Sequence, residues 1–292
     1  MAKGAKRISK ILISTTVVIV LTTGCSSIMS SATTGLADSL TKAVLDQNDP
    51  ETVRQGAPAY LLLIDGLIAD NPKNAELLMA GANLYSSYAG AFVDDPERAS
   101  RLSRKGRDYG WAAWCRVEKD ACEIWSAPYE DFERVVERTP PKDIAVLFSA
   151  GAAWASWIRA NTDNWSAVAD KARVDAMMQK VVALDESYEE GSAFLYLGIL
   201  ATLLPEAMGG KPEQGREDFE RVIELSGGSN LMARVLLARS YARLVFDRQL
   251  HDRLCREVIE ADPVAPGLTL TNTLAQEEAK ELLGSSEDYF GD

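Results

Sequence analysis

The chain has 292 residues, 47% of them apolar and 25% charged, enough to build one or two domains and too apolar to be disordered along most of its length. Acidic side chains outnumber basic ones 43 to 31, for a net charge of −12. So acidic a chain lacks the basic face that phosphate contacts need, which excludes nucleic acid as a partner.

The first residues read as a targeting segment. Lys3, Lys6, Arg7 and Lys10 precede the apolar run Ile11–Leu21, and Thr22-Thr23-Gly24-Cys25 follows at once. The run is too short to cross a hydrocarbon core of about 30 Å as a helix, which takes roughly 20 residues, and it suits a secretory leader. The Gly24-Cys25 step is similar to a bacterial lipoprotein signal cut before Cys25, although Thr22 stands where such signals usually carry Leu. The alternative is an ordinary leader followed by an incidental cysteine. The lipoprotein reading makes residues 1–24 a signal peptide, 25–34 a flexible tether and 35–292 the folded domain. It places the protein in the bacterial periplasm, anchored by lipid on Cys25, with the outer membrane as the expected site. Residues 1–24 hold four basic and no acidic side chains, so the mature balance is 27 against 43. The folded body would be repelled by anionic headgroups, which leaves the lipid to hold the membrane.

From Gly35 onward the sequence has helical period almost throughout. Leu36, Leu40, Val44 and Leu45 predict a helix ending near Asp49-Pro50. Glu51–Asp70 carries Tyr60, Leu61, Ile64, Leu67 and Ile68 on one face and stops at Asn71-Pro72, with Pro58 expected early in the helix or dividing it. Asn74 opens the next helix, with Leu77-x-x-Ala80-Gly81-x-x-Leu84. Asp95-Pro96-Glu97 has the cap, proline and first-turn acid of another helix start, expected to reach about Trp125 unless broken. Pro128–Arg138 reads as a short helix. Pro140-Pro141 then starts one with Leu147-x-x-Ala150-Gly151-x-x-Trp154, and Trp165–Leu184 follows the turn at Asn161–Asn164. Asp185–Asn230 reads as a helical hairpin with a Gly-rich turn, carrying Phe194-x-x-Leu197-Gly198-x-x-Ala201 and then Gly215-x-x-x-Phe219-x-x-Val222. Ser229 is expected to cap a helix with Arg234-x-x-Leu237-Ala238-x-x-Tyr241, and Asp247 its partner, which stops at Asp262-Pro263. A last helix, Thr271–Leu283, ends at Gly284, and the acidic tail is expected to fray. No strand is predicted.

Four copies of one pattern, a small residue flanked by large ones at helical spacing, are thus centred on Gly81, Gly151, Gly198 and Ala238. A small residue lets two helices approach and a bulky one fills the hole beside it. The fold class that follows is all-α: stacked antiparallel hairpins with tetratricopeptide-like repeats, spaced 70, 47 and 40 residues apart and therefore irregular.

The catalytic inventory is empty. His251 is the single histidine, placed on a helix surface, so multi-histidine zinc sites are excluded and no metal is expected. No phosphate-cradling glycine loop or nucleophile elbow is present, so no cofactor and no enzymatic activity are expected. The acid pairs Glu189/Glu190 and Asp94/Asp95 read as helix-start acids. Cys115, Cys122 and Cys255 remain in the mature chain. A continuous helix would hold Cys115 and Cys122 about 10.5 Å apart along its axis, so bridging them requires a break around Glu118–Ala121. Tyr85, Tyr88, Trp154 and Trp157 follow the small positions of inner helices and are the candidates to line a pore, with core filling as the alternative. Trp165, Tyr196 and Phe219 read as packing. The exposed turn Met208-Gly209-Gly210-Lys211 is the candidate partner-facing loop.

The segments Tyr60–Ala99, Leu184–Gly228, Ala238–Pro263 and Thr271–Leu283 resemble, in order, the T component of TRAP transporters, the TatT family. The likeness runs from about Leu36 to Phe290 and is weakest over Gly110–Pro140. It implies a periplasmic lipoprotein of tetratricopeptide-like hairpins around a central pore. It also implies assembly, as a homotrimer in some members, and association with the periplasmic substrate-binding P component of a tripartite, ATP-independent transporter. A small hydrophobic ligand is implied as cargo. The runner-up reading is a repeat scaffold for envelope assembly with no small-molecule role.

Overall fold

The computed structural model describes residues 41–291, and every regular element among them is helical. The leader, Cys25 and the tether lie outside the described residues. Residues 41–45 are helical and lead into α1 (Pro50–Asp70), whose cap Asp49 accepts from the Glu51 amide at 3.1 Å. Pro58 neither starts nor divides α1, contrary to expectation. A proline inside a helix costs roughly 3 kcal/mol. Four large aliphatic side chains on the buried face, Val53, Leu61, Ile64 and Ile68, return roughly 1.5–3 kcal/mol each and outweigh it.

α2 (Ala75–Phe92) is capped by Asn74, which accepts from the Glu76 and Leu77 amides, and α3 (Pro96–Val117) by Asp95, which accepts from Arg98 at 2.7 Å. α3 stops well before Trp125. A single 3₁₀ turn, Asp120–Cys122, folds the chain back so that Trp125 stacks on Trp154 with centroids 4.7 Å apart and planes 7° from parallel. α4 (Tyr129–Glu137) and α5 (Ile144–Arg159) follow. The helix expected over Trp165–Leu184 is two, α6 (Trp165–Ala169) and α7 (Lys171–Leu184), meeting at Asp170, whose carboxylate accepts from Trp154 Nε1. Trp165 does not pack: it is 82% exposed.

α8 (Ser192–Ala201) and α9 (Pro212–Leu225) form the hairpin expected around Gly198. A Cβ on Gly198 would meet the Phe219 ring at 2.6 Å, and one on Gly215 would stand 2.9 Å from the Gly198 carbonyl oxygen. The small residues therefore sit where the two helices touch, with the large one beside them. α10 (Leu231–Leu236) is capped across space: its first amide donates to Asn272 Oδ1 at 3.0 Å, and Ser229, the expected cap, bonds back to Ser226. It continues as a π turn over Leu237–Ala242. α11 (Arg248–Glu260) is capped by Asp247 as expected, and α12 (Thr269–Gly284) runs to the expected glycine. The tail is not frayed. It forms α13 (Ser286–Phe290), tied down by Ser286 Oγ to Asp252 and by Arg248 to the Gly291 carbonyl.

α1, α2 and α3 pack in turn, α2 and α3 both lie on α5, α4 packs on α7, each helix from α7 onward packs on the next, and α12 returns to touch α1. Leu270 of α12 joins the larger core, which runs from Val53 through Trp114, Phe132, Trp154 and Met178 to Leu200, and Asp46 accepts from the Gly267 amide at 2.6 Å. The segment before α12 thereby contacts the first of the described residues. A second core, centred on Phe219, Val235, Tyr241 and Val258, joins α9 to α12. No helix among the described residues is long and apolar enough to cross a membrane.

Candidate functional site

The four rings singled out by spacing are all buried. Tyr85, Tyr88, Trp154 and Trp157 are 4%, 5%, 1% and 7% exposed. A ring one turn after a small residue is drawn into the gap that the small residue opens between helices, which buries it. They also fall into separate groups. Tyr85 belongs to a polar knot on Asp65 of α1, which accepts from Tyr85 Oη at 2.7 Å, Tyr109 Oη at 2.7 Å and Lys105 Nζ at 2.5 Å. Burial pushes the Asp65 carboxyl up, but these three donors outweigh it and hold it below the usual carboxylate range. Burial and the Asp65 carboxylate push the Tyr109 phenol up to about 12. Tyr88 accepts from Arg98 at 3.3 Å. Trp154 sits among Trp111, Trp125 and Phe132, and the Arg107 guanidinium spans Trp125 and Trp157 at 4.6 and 4.2 Å.

A different set of residues lies along the more open face of α5. On α5, Phe148, Ala152 and Ala155 are half-buried and Arg159 is exposed, at i, i+4, i+7 and i+11 of one face. Arg159 is open to water yet surrounded by protein: burial first, then the positive charge of Arg239, lowers its guanidinium from an arginine's ordinary value. Arg159 donates to the Gly90 carbonyl at 2.8 Å and borders a cavity of about 230 Å³ with Ala89, Val93, Ala99 and Ser156. Tyr196 of α8 is half-buried on the same side, its phenol raised by burial and lowered in part by Arg159. Arg239 in the π turn pairs with Glu278 of α12 at 2.5 Å, and both act electrostatically on Arg159. Charged and phenolic groups of α5, α8, the π turn and α12 thus lie near enough to influence one another electrostatically, a juxtaposition that no local spacing announces. The available signal was Arg159 itself, one cation ending an otherwise apolar helix, which reads from sequence as a favourable last-turn charge.

The Met208–Lys211 turn is exposed and conformationally fixed. Met208 is 62% exposed, and Gly209 has φ +87°. A Cβ on Gly210 would stand 1.6 Å from the Leu204 carbonyl oxygen, so only glycine fits there.

His251 is not on the surface as expected: it is fully buried. Arg243 Nε donates to its Nε2 at 3.3 Å, leaving the Nδ1 proton for Asp252 at 2.9 Å. The nearby Ser286 hydroxyl donates to Asp252 and not to the imidazole, so the cluster has no activated nucleophile and serves to dock α13. Among the described residues no group of three or more His, Cys, Asp or Glu side chains could hold a metal ion.

An uncharacterized protein of Treponema pallidum (strain Nichols) is 24% identical to the chain over 271 residues, covering 86% of this chain and 84% of its own. The sequence model described as TRAP transporter T-component matches residues 46–290, from Asp46, which contacts Gly267, to the docked helix α13. That family is an accessory of a transporter and not a known enzyme family. With the match running through every helix described above, the chain belongs to the TRAP transporter T-component family.

Proposed function

We propose that the protein is the membrane-anchored accessory of a TRAP-type uptake system in the bacterial periplasm. Lipid on Cys25 holds it to the membrane, the outer one in the simplest arrangement. A P-type substrate-binding protein docks on its surface, with the Met208–Lys211 turn as part of the contact. The observation that carries this reading is the family match over residues 46–290. The ligand, in this proposal a small hydrophobic molecule, contacts the open face of α5 near Phe148, Arg159 and Tyr196 rather than the four buried rings.

A second reading, an envelope scaffold without a small-molecule role, has its own support. The cavity at Arg159, about 230 Å³, is below the roughly 300–1,000 Å³ of ordinary small-molecule sites. Native mass spectrometry of residues 26–292, purified gently from cells, separates the two. A retained small molecule establishes the ligand role, and its mass names the class. A clean oligomer without ligand leaves the scaffold. The mass of the assembly tests the homotrimer. Failure of the tagged protein to capture any solute-binding protein from a periplasmic extract would sink the transport role.

A further inference from the structure

The break after α3 brings together two sulfurs that a continuous helix would keep apart. Glu118 is extended at φ −125°, ψ 107°, and the Asp120–Cys122 turn closes with the Cys122 amide donating to Lys119. The chain folds back at the position where a bridge requires a break. Cys122 Sγ donates to the Cys115 carbonyl oxygen at 3.6 Å, which sets the Cys122 side chain against the Cys115 residue. Cys122 is exposed, Cys115 half-buried and Cys255 buried in a different core.

We propose that Cys115 and Cys122 are joined by a disulfide in the mature protein. The proposal rests on the periplasmic reading, because such bonds persist in oxidising compartments. The electrons go to a carrier disulfide of the envelope, either a dithiol oxidase or a small-molecule disulfide. The exposed Cys122 gives up its proton to solvent and attacks the carrier disulfide, expelling one carrier thiolate. Cys115 then loses its proton and attacks Cys122 Sγ, expelling the second. The protein loses two protons and two electrons, and the carrier becomes a dithiol. The first attack falls to the exposed Cys122, since burial and its neighbour Cys122 push the Cys115 thiol up to about 12 and leave it the poorer nucleophile of the pair.

The bond would staple the elbow that carries Ala121 and Ile124 into the larger core and Trp125 onto Trp154. It would fix the part of the chain where helix propensity alone leaves the path undetermined.

The test uses the acylated full chain taken from the envelope fraction, denatured directly into a maleimide so that every free thiol is blocked, and weighed before reduction and again after reduction and a second labelling. One labelled cysteine before reduction and three after, with a Cys115–Cys122 cross-linked peptide, is the expected result. Cys255→Ser should give none before and two after. Three labels without reduction, in protein shown to be in the envelope, would overturn the disulfide while leaving the location intact. Should the chain fractionate with the cytoplasm, the location fails instead. Titrating the purified, reduced protein against glutathione then decides the bond: closure at an oxidising ratio supports the pairing, and persistent free thiols at every ratio refute it.

Discussion

The same substitution, Gly→Ala, should have opposite signs at two helical positions. At Gly198 a Cβ would stand 2.6, 2.8 and 2.9 Å from three atoms of the Phe219 ring, and Phe219 is fully buried. Overpacking of this kind costs about 1–3 kcal/mol, against which alanine's better helix propensity returns about 1 kcal/mol. With three ring atoms displaced, we expect Gly198→Ala to lose about 1–2 kcal/mol. At Gly66 in α1 a Cβ would meet nothing within 4 Å, so only the propensity gain of about 1 kcal/mol remains. The two variants should therefore differ by about 2–3 kcal/mol, or roughly 4–12 °C in Tm for a domain of this size. Urea unfolding followed by tryptophan fluorescence measures both. Adding Phe219→Leu should recover part of the loss at Gly198, with a coupling above about 0.5 kcal/mol. Equal stability of the two alanine variants, or additivity of Gly198→Ala with Phe219→Leu, would refute the idea that contact at the helix crossing dictates glycine.

Asp65→Asn should cost about 1.5–3 kcal/mol at pH 7 by weakening three hydrogen bonds, one of them from a cation. The folded Asp65 carboxyl is depressed, so its contribution is present above an unfolded value of about 3.9 and fades as pH falls through the lower folded value. Wild type and variant should converge in acid, and a constant gap down to pH 2 would contradict the account. Asp218 is the reverse case. Burial raises its carboxyl to about 6, so keeping it charged destabilises the fold as pH rises from about 4 through 6. Asp218→Asn should raise Tm at pH 7.5 by the equivalent of up to about 2–3 kcal/mol and have little effect near pH 4; a pH-independent change would refute the assignment. If a ligand is retained at the open face of α5, Arg159→Ala should release it while leaving the urea midpoint nearly unchanged. Retention equal to wild type would move the ligand elsewhere.

Local physics sufficed for much of the architecture. The caps at Asn74, Asp95 and Asp247 and the stop at Gly284 follow from a few adjacent residues, and the structure places them as read. The all-α class followed from period alone, and so did the crossing of α8 and α9 at Gly198, because small-plus-large at helical spacing is a contact pattern carried by one segment. The errors have a common origin in partners distant along the chain. Pro58 is tolerated because of what α1 buries against α2, and the amide of Leu231 is capped by Asn272, 41 residues on. His251 is buried by α13, a segment with no local signal of order beyond its length.

The candidate site divides in the same way. Sequence by itself determined that rings and small residues alternate along several helices and that the 208–211 turn is exposed. The tertiary structure alone decided which side of each helix faces open space. The rings that looked available are buried, since apolar area removed from water is what drives a large ring into a gap between helices. Arg159 remains on the open face of α5 because its guanidinium is costly to bury and finds the Gly90 carbonyl. A helical period states that one face is apolar. Which neighbours that face meets is decided by contacts such as α12 to α1 and Asp46 to Gly267, the latter 221 positions apart.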